Sequence, residues 1–460
     1  MRYLTLLGKI NIFKTLAISK LVFISYMSAV PNSVIKQINQ IHRDFIWDGK
    51  KAKIKHTTLI ADYRVGGLRD IDISTKIKSL QLSWVRRLDD SNFHPWKIIP
   101  KYLLSKLFGN WNLFFFPNME LKITPFFSKL PKFYQNILQF WSELSTCDPL
   151  TPSSILSESI FFNRFIKIDK HIVAPSFFNL NKTLYVADFF DENGKLKNWT
   201  NFKSSTGIHT SMFFKWCQLA DALPIVWKDI LKNSNDGTKS LCEFRPHIIT
   251  LAKMYPLDKL SSKELYQLTI ASSCQPPTSQ KKILDLLEID ELPWVKVYSL
   301  IRSTSIDSYS RIFQYKCLNN ILFLNNTLYK LGFSDTPLCS YCNCHNETTK
   351  HLFFDCCNTK SLWRLLQIHF ESSVTIPDLD LRSAIVGFLD RPTVNISIFN
   401  NILLTFKMSL YKSRDKKQLH FSTILNNIKA RENIENYIAH ENNKLEFHHK
   451  KWSSIKHLLS

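Results

Sequence analysis

Five of the ten cysteines and two of the fourteen histidines fall within the nineteen residues CSYCNCHNETTKHLFFDCC, from Cys339 to Cys357. Cys339 and Cys342 have the C-x2-C spacing that lets two thiolates take one ion from a tight turn, and His351 and Cys356 suit a short helical or looped second half. The pattern Cys339-x2-Cys342-x8-His351-x4-Cys356 offers three thiolates and one imidazole, a tetrahedral shell with no position left for water. The expected cofactor is therefore a single structural Zn2+. Such an ion contributes on the order of 10–16 kcal/mol at neutral pH, more than a core of about thirty residues could provide alone. Spacing alone leaves alternatives open: Cys344, His345 and Cys357 are also soft and close, so Cys357 could replace Cys356 and His345 could replace His351.

The elements that must carry this cluster are read from composition. A chain of 460 residues exceeds what one core usually organises, and 45% hydrophobic residues with 13% aromatic supply ample packing material. Ten glycines against 34 phenylalanines, with Leu, Ile and Lys at short irregular spacing, predict a mainly α, multi-domain chain with a small CCHC zinc knuckle. The formal net charge of +22 points to a polyanionic partner, nucleic acid before acidic membrane. The early uncharged run LVFISYMSAV is about half of the ~20 residues a bilayer span needs, so no membrane partner is expected. Without a secretory signal the compartment should be reducing and intracellular, which favours metal ligation over disulfides. The isolated Cys147, Cys217, Cys242, Cys274 and Cys317 read as small core hydrophobes.

The first sixty residues carry ten Lys or Arg against two Asp. If RYLTLLGKINIFKTLAISKL is one helix, Arg2, Lys9 and Lys20 lie within about 20° of one line, a cationic stripe, while Leu6, Ile10 and Phe13 follow the spacing of a buried face. Asp48-Gly49 is a hairpin signal, and Lys51, Lys53 and Lys55 share a face if the following residues are extended. A row of lysines beside Phe45 and Trp47 can track a phosphate backbone; the plain alternative is a solvated edge with a core tryptophan. Gly66-Gly67 marks a turn or close approach without phosphate-loop spacing. Further on, Phe133 to Trp141 has an amphipathic helical pattern, Asn193-Gly194 a turn, and ASSCQPPTSQKK the composition of a linker.

LCSYCNCHNETTKHLFFDCCNTKSLW, with Glu347-Thr348 before the histidine and Leu362-Trp363 on the next helix, resembles the zinc-binding region that follows the polymerase domain in LINE-type, non-LTR retrotransposon reverse transcriptases. The lead-in FQYKCLNNILFLNNTLYKLGFSDTPLC, the early LTLLGKINIFKTLAISKLVF and FIWDGKKAKIK...GGLRDIDI, and the ending ENYIAHENNKLEFHHKKW are similar to that family as well. The resemblance is loose between about 110 and 250. It implies a thumb-like basic helical region at 1–110, a connector at 111–255, a helical lead-in at 256–335, the CCHC region at 336–365 and a basic helical region at 366–460.

Polymerases of this family hold two metals about 3.5–4 Å apart with paired carboxylates, as adjacent aspartates after an aromatic-Ala step. No such pair occurs here. Asp188 and Asp191 are separated by two phenylalanines, ADYR offers Asp62 alone, and Asp89-Asp90 sit at a polar helix exit. The chain is therefore expected to begin beyond the palm, to be no enzyme by itself and to take no small-molecule substrate. The resemblance implies RNA template and DNA as partners, in the nucleus or a cytoplasmic ribonucleoprotein. It nominates Lys9, Lys20, Lys50, Lys51, Lys53 and Lys55, then Lys350, Lys360 and Arg364, and then Lys412, Arg414, Lys416 and Lys417 for backbone contacts. Tyr341, Phe353 and Phe354 could stack on bases, or form the core of the knuckle.

Overall fold

Helix α1 (Leu6–Ile12) starts where Thr5 Oγ1 accepts the amide of Gly8 at 3.1 Å, and it buries Leu6 and Ile10 as the sequence spacing requires. The computed structural model describes residues 4–116, 118–120, 126–145, 148–178, 183–233, 247–250, 253–389 and 396–459. The protein is mainly α. Strand is confined, among the described residues, to two short antiparallel pairs, Lys167–Ile168 with His171–Ile172 and His247–Thr250 with Lys253–Pro256.

Two compact units arise from discontinuous stretches: residues 1–17, 40–71 and 273–460 in one, and 18–39 and 72–272 in the other. Residues 1–110, read as one region from the sequence, are thus shared between both. The change at residue 272 falls inside the segment with linker composition.

In the first unit, α1 is joined by α2 (Asn32–Trp47), of which residues 40–47 lie in this unit, α3 (His56–Leu59), α4 (Trp294–Thr304), α5 (Ser308–Leu318) and α6 (Asn325–Lys330). The chain continues through α7 (Cys357–Phe370), α8 (Ile396–Lys412), α9 (Phe421–Glu441) and α10 (Leu445–Trp452). Helix α8 is apolar nearly all round and is the axis of the core: Ile398, Ile402, Phe406 and Leu410 are buried with Phe353, Trp363, Leu366 and Phe370. Trp363 and Phe406 meet edge to face, with ring centres 5.2 Å apart. Cys317 is buried in this unit, as read from the sequence, whereas Cys217 and Cys274 are half-buried. Cys147 and Cys242 lie outside the described residues.

Several expectations change at the N-terminal end. A π-helical segment, Phe13–Ile18, separates Lys9 from Lys20 and breaks the register on which a stripe would depend. Lys9 is buried; its ammonium donates to Asp48 Oδ1 and to the carbonyl of Ile46 at 3.4 Å, while Lys20 is exposed and Arg2 is outside the described residues. Asp48-Gly49 is no hairpin. Both residues take positive φ, 53° and 70°, and close the C-terminus of α2, with Gly49 N–H on the carbonyl of Asp44 at 2.9 Å. By length and composition the helical stretch Leu6–Met27 could cross a bilayer, a property the broken early run in the sequence did not suggest.

The second unit has its own core, with Trp141 of helix Lys132–Ser145 donating its indole N–H to the carbonyl of Phe114 at 2.9 Å. Glu158 is buried there, accepting from the side-chain amides of Asn118 at 2.9 Å and Asn163 at 2.6 Å. Burial outweighs those bonds and raises its carboxyl to about 8.

Candidate metal centre

The first half of the cysteine cluster is a tight loop held by its own backbone. The amide of Cys339 donates to the carbonyl of His345 at 2.8 Å, Glu347 N–H to Pro337 at 2.8 Å, and Asn343 N–H to Cys339 at 2.9 Å. Asn343 takes φ 54°, a left-handed conformation that asparagine tolerates. The second half is a π-helical turn, His351–Asp355, begun by Thr348 Oγ1 accepting the His351 amide at 3.1 Å. Cys356 N–H bonds to the carbonyl of His351, five residues back, at 2.9 Å. In an α-helix two positions five apart point about 140° away from each other; the wider turn brings them to one side.

The ligand atoms of Cys339, Cys342, His351 and Cys356 all lie within 4.8 Å of one another. Cys342 Sγ is 3.2 Å from His351 Nε2, and Cys339 Sγ is 4.0 Å from Cys356 Sγ. Tetrahedral zinc with the usual bond lengths separates a thiolate pair by about 3.8 Å and a thiolate and imidazole by about 3.5 Å. The cage therefore fits that ion. Cys344 and Cys357 are exposed, as is His345, whose ring packs beside that of His351 at 5.3 Å; none is among the four converging groups.

The electrostatics favour thiolate at Cys356. A hydrogen bond from the Cys339 thiol pushes Cys356 well below an ordinary cysteine, with help from the amides of Thr359 and Asn358 at the N-terminus of α7 and against burial. Cys339, as the donor and buried, is pushed up, although the amides of Cys342 and Tyr341 stabilise its charge.

Around the cage lies a shell that the sequence did not disclose. Glu347 is fully buried and accepts from the backbone amides of Asn325 and Ser340, both at 3.0 Å, and from Arg414 Nη1. Arg414 also donates to the carbonyls of Phe323 at 2.9 Å and Tyr411 at 3.0 Å. Its nomination as a surface contact is thereby corrected: it is a buried strut between the end of α8 and the loop. Tyr341 donates its hydroxyl to the carbonyl of Leu410 at 2.6 Å, and Phe353 is buried in the core rather than free to stack. The one sequence signal for this shell was the acid of the Glu347-Thr348 step between two pairs of ligands.

Of the remaining nominated cations, Lys20, Lys50, Lys51, Lys53, Lys55, Lys360, Arg364, Lys412, Lys416 and Lys417 are exposed. Lys350 is half-buried, 3.9 Å from Asp355. Lys53 reaches the knuckle's neighbourhood, its ammonium 3.2 Å above the ring of Phe323, the residue whose carbonyl takes Arg414. Partial burial lowers the pKa of Lys53, and the charges of Lys316 and Lys50 lower it further. The aspartates weighed as polymerase groups serve the backbone: Asp188 accepts the Tyr185 amide at 2.8 Å, Asp191 those of Asn193 at 2.9 Å and Lys195 at 2.8 Å, Asp62 caps a short helix, and Asp89 ends one.

Residues 281–363 match a family described as zinc-binding in reverse transcriptase. The match takes in α4, α5, α6 and all four converging ligands and ends at Trp363, so this part of the chain is a reverse-transcriptase-associated zinc-binding domain. Among curated proteins no significant match is found.

Proposed function

We propose that the protein is a non-catalytic, nucleic-acid-binding part of a LINE-type, non-LTR retrotransposon reverse transcriptase, in which one structural Zn2+ at Cys339, Cys342, His351 and Cys356 shapes a platform for RNA template and DNA. The observation that carries this reading is a cluster of like charge beside the knuckle. Lys53, exposed on this face, feels the charges of Lys50 and Lys316. Crowded ammonium groups are stabilised by a polyanion, and a phosphate backbone supplies one without demanding a particular sequence. Lys360 and Arg364 add cations on α7, four residues apart on an exposed face, and Lys412, Lys416 and Lys417 add more at the end of α8. The setting that suits such a role is intracellular, in the nucleus or a cytoplasmic ribonucleoprotein.

The test is binding of single-stranded RNA and of duplex to the zinc-loaded chain at several salt concentrations, followed by anisotropy. A steep linear fall of log affinity with log salt is expected. The slope should shrink by about 0.7–0.9 for each lysine removed by Lys51→Ala, Lys53→Ala and Lys55→Ala. No affinity in dilute buffer, or an unchanged slope in the triple variant, refutes the platform. Magnesium-dependent, template-directed nucleotide incorporation by this chain refutes its non-catalytic character.

A further inference from the structure

Away from the cysteines, a second set of ligand types converges within the first unit. His42 of α2, His56 at the start of α3 and Asp70 bring one donor atom each to within 4.8 Å of one another. Local backbone constraints make that meeting. The amides of Leu68 and Asp70 both donate to the carbonyl of Leu59 at 2.9 Å, which folds the 66–70 segment back onto α3. Gly67 is required for this return, since a Cβ there would stand 1.9 Å from the carbonyl oxygen of Ala61. Phe13 stacks on His42 with ring centres 4.1 Å apart and holds that imidazole, and the rings of His42 and His56 stand 5.9 Å apart at 82°.

The polar accounting at this place does not close. Asp70 and His42 are each only 3% exposed. Asp70 Oδ1 accepts the amide of Ile71 at 2.8 Å, but Asp70 Oδ2 and His42 Nε2 are buried with no hydrogen-bond partner. His42 Nε2 lies 3.1 Å from Asp70 Oδ1 without the alignment of a hydrogen bond, and His56 Nε2 lies 3.8 Å from Oδ2. The nearby ammonium of Lys14 is engaged by the carbonyl of Arg69 at 2.8 Å. A buried polar atom left unpaired keeps the full penalty of its lost hydration, and two stand here side by side. A cation between them and His56 removes both deficits.

We infer that His42, His56 and Asp70 form a second metal site, for a divalent first-row ion of zinc-like preference. Two imidazole nitrogens and one carboxylate oxygen are borderline ligands, without the soft thiolates of the knuckle. Asp70 Oδ2 is the ligand oxygen, and the bond from the Ile71 amide to Oδ1 orients the carboxylate from behind. The His56 side chain is 42% exposed, so the coordination shell opens to water on that side. The site shares no ligand with the cysteine cage.

The experiment uses the whole untagged chain, loaded with Co2+, desalted, and measured by mass spectrometry for metal content and by absorption for ligand type. Wild type should hold two ions: one with thiolate-to-cobalt charge-transfer bands, and one with ligand-field bands alone. In His56→Ala, with unchanged circular dichroism, the second ion should bind more than about 100-fold more weakly while the charge-transfer bands persist. One ion per wild-type chain overturns the inference, as does full retention of the second ion in His56→Ala. Should that variant fail to fold, the wild-type count and spectrum decide by themselves.

Discussion

The bond between Glu347 and Arg414 distinguishes a strut from a surface contact, and Arg414→Ala is the perturbation that separates them. The carboxylate of Glu347 is fully buried and the arginine side chain is 10% exposed, so their attraction is not screened as a surface pair would be. Truncating Arg414 leaves Glu347 with two backbone donors and no counter-charge, a loss of about 3–5 kcal/mol. Glu347→Ala costs at least as much, because it strands the buried guanidinium together with the amides of Asn325 and Ser340. The double variant Glu347→Gln/Arg414→Met removes both charges, and its cost should fall well short of the sum of the two alanine variants. Urea unfolding of the zinc-loaded chain, followed by circular dichroism, measures all four proteins. Competition with a chelator reports the metal: since Ser340 lies between Cys339 and Cys342, loosening its anchor should weaken zinc at least about tenfold, the equivalent of 1.4 kcal/mol. A change in Arg414→Ala below about 1 kcal/mol, with zinc affinity intact, would refute the strut. A matching loss of RNA affinity would then return Arg414 to the surface cations.

Zinc content should fall from one ion at the cysteine cage to none there in Cys339→Ser or His351→Ala, and stay at one in Cys344→Ser and Cys357→Ser; mass spectrometry after desalting decides, and undiminished zinc in the first pair would reject the ligand set. Glu158 should make the second unit less stable as pH rises. Its folded carboxyl titrates at about 8 against 4.5 unfolded, so its contribution is complete below 4.5 and lost as pH climbs through 8. The stability of wild type relative to Glu158→Gln should decline across that window, and a flat difference would show that the buried acid is already ionised.

The ligands were legible because thiolates and an imidazole at such spacing have few other uses, and because each pair lies within six residues of sequence. The geometry that makes the x4 spacing work was not legible. An α-turn and a π-turn present the same residues, and only the Cys356 to His351 bond shows which one forms. Glu347 and Arg414 are 67 residues apart, and no local pattern pairs them. The same limit misplaced Lys9, whose partner Asp48 lies 39 residues away and turns a cation on an amphipathic helix inward. Asp48-Gly49 misled for a different reason. Left-handed residues serve hairpins and helix ends alike, and the next stretch, with Ile54 buried between exposed lysines, never pairs as a strand. The mainly α class was visible from composition and periodicity, since neither depends on long-range pairing.

The order in which these forces act explains why a metal is needed here at all. Residues 335–350 contain little regular secondary structure, and a loop of that length cannot bury enough apolar surface to offset its own ordering. Two sulfurs from that loop, with one sulfur and one nitrogen from the following turn, fix its shape through the ion. Glu347 then carries the shape to α6 and α8 through Asn325 and Arg414. Phe323, gripped through its carbonyl by Arg414, presents its ring to Lys53. A lysine-bearing segment near residue 50 and a cage near residue 350 thus meet through one buried carboxylate, one guanidinium and one aromatic ring. The backbone of that cationic segment is seated separately, by Ile54 and Leu59 in one apolar cluster with Ile312 and Tyr315 of α5, so the Lys53 contact joins the knuckle's outer shell to a segment already in place.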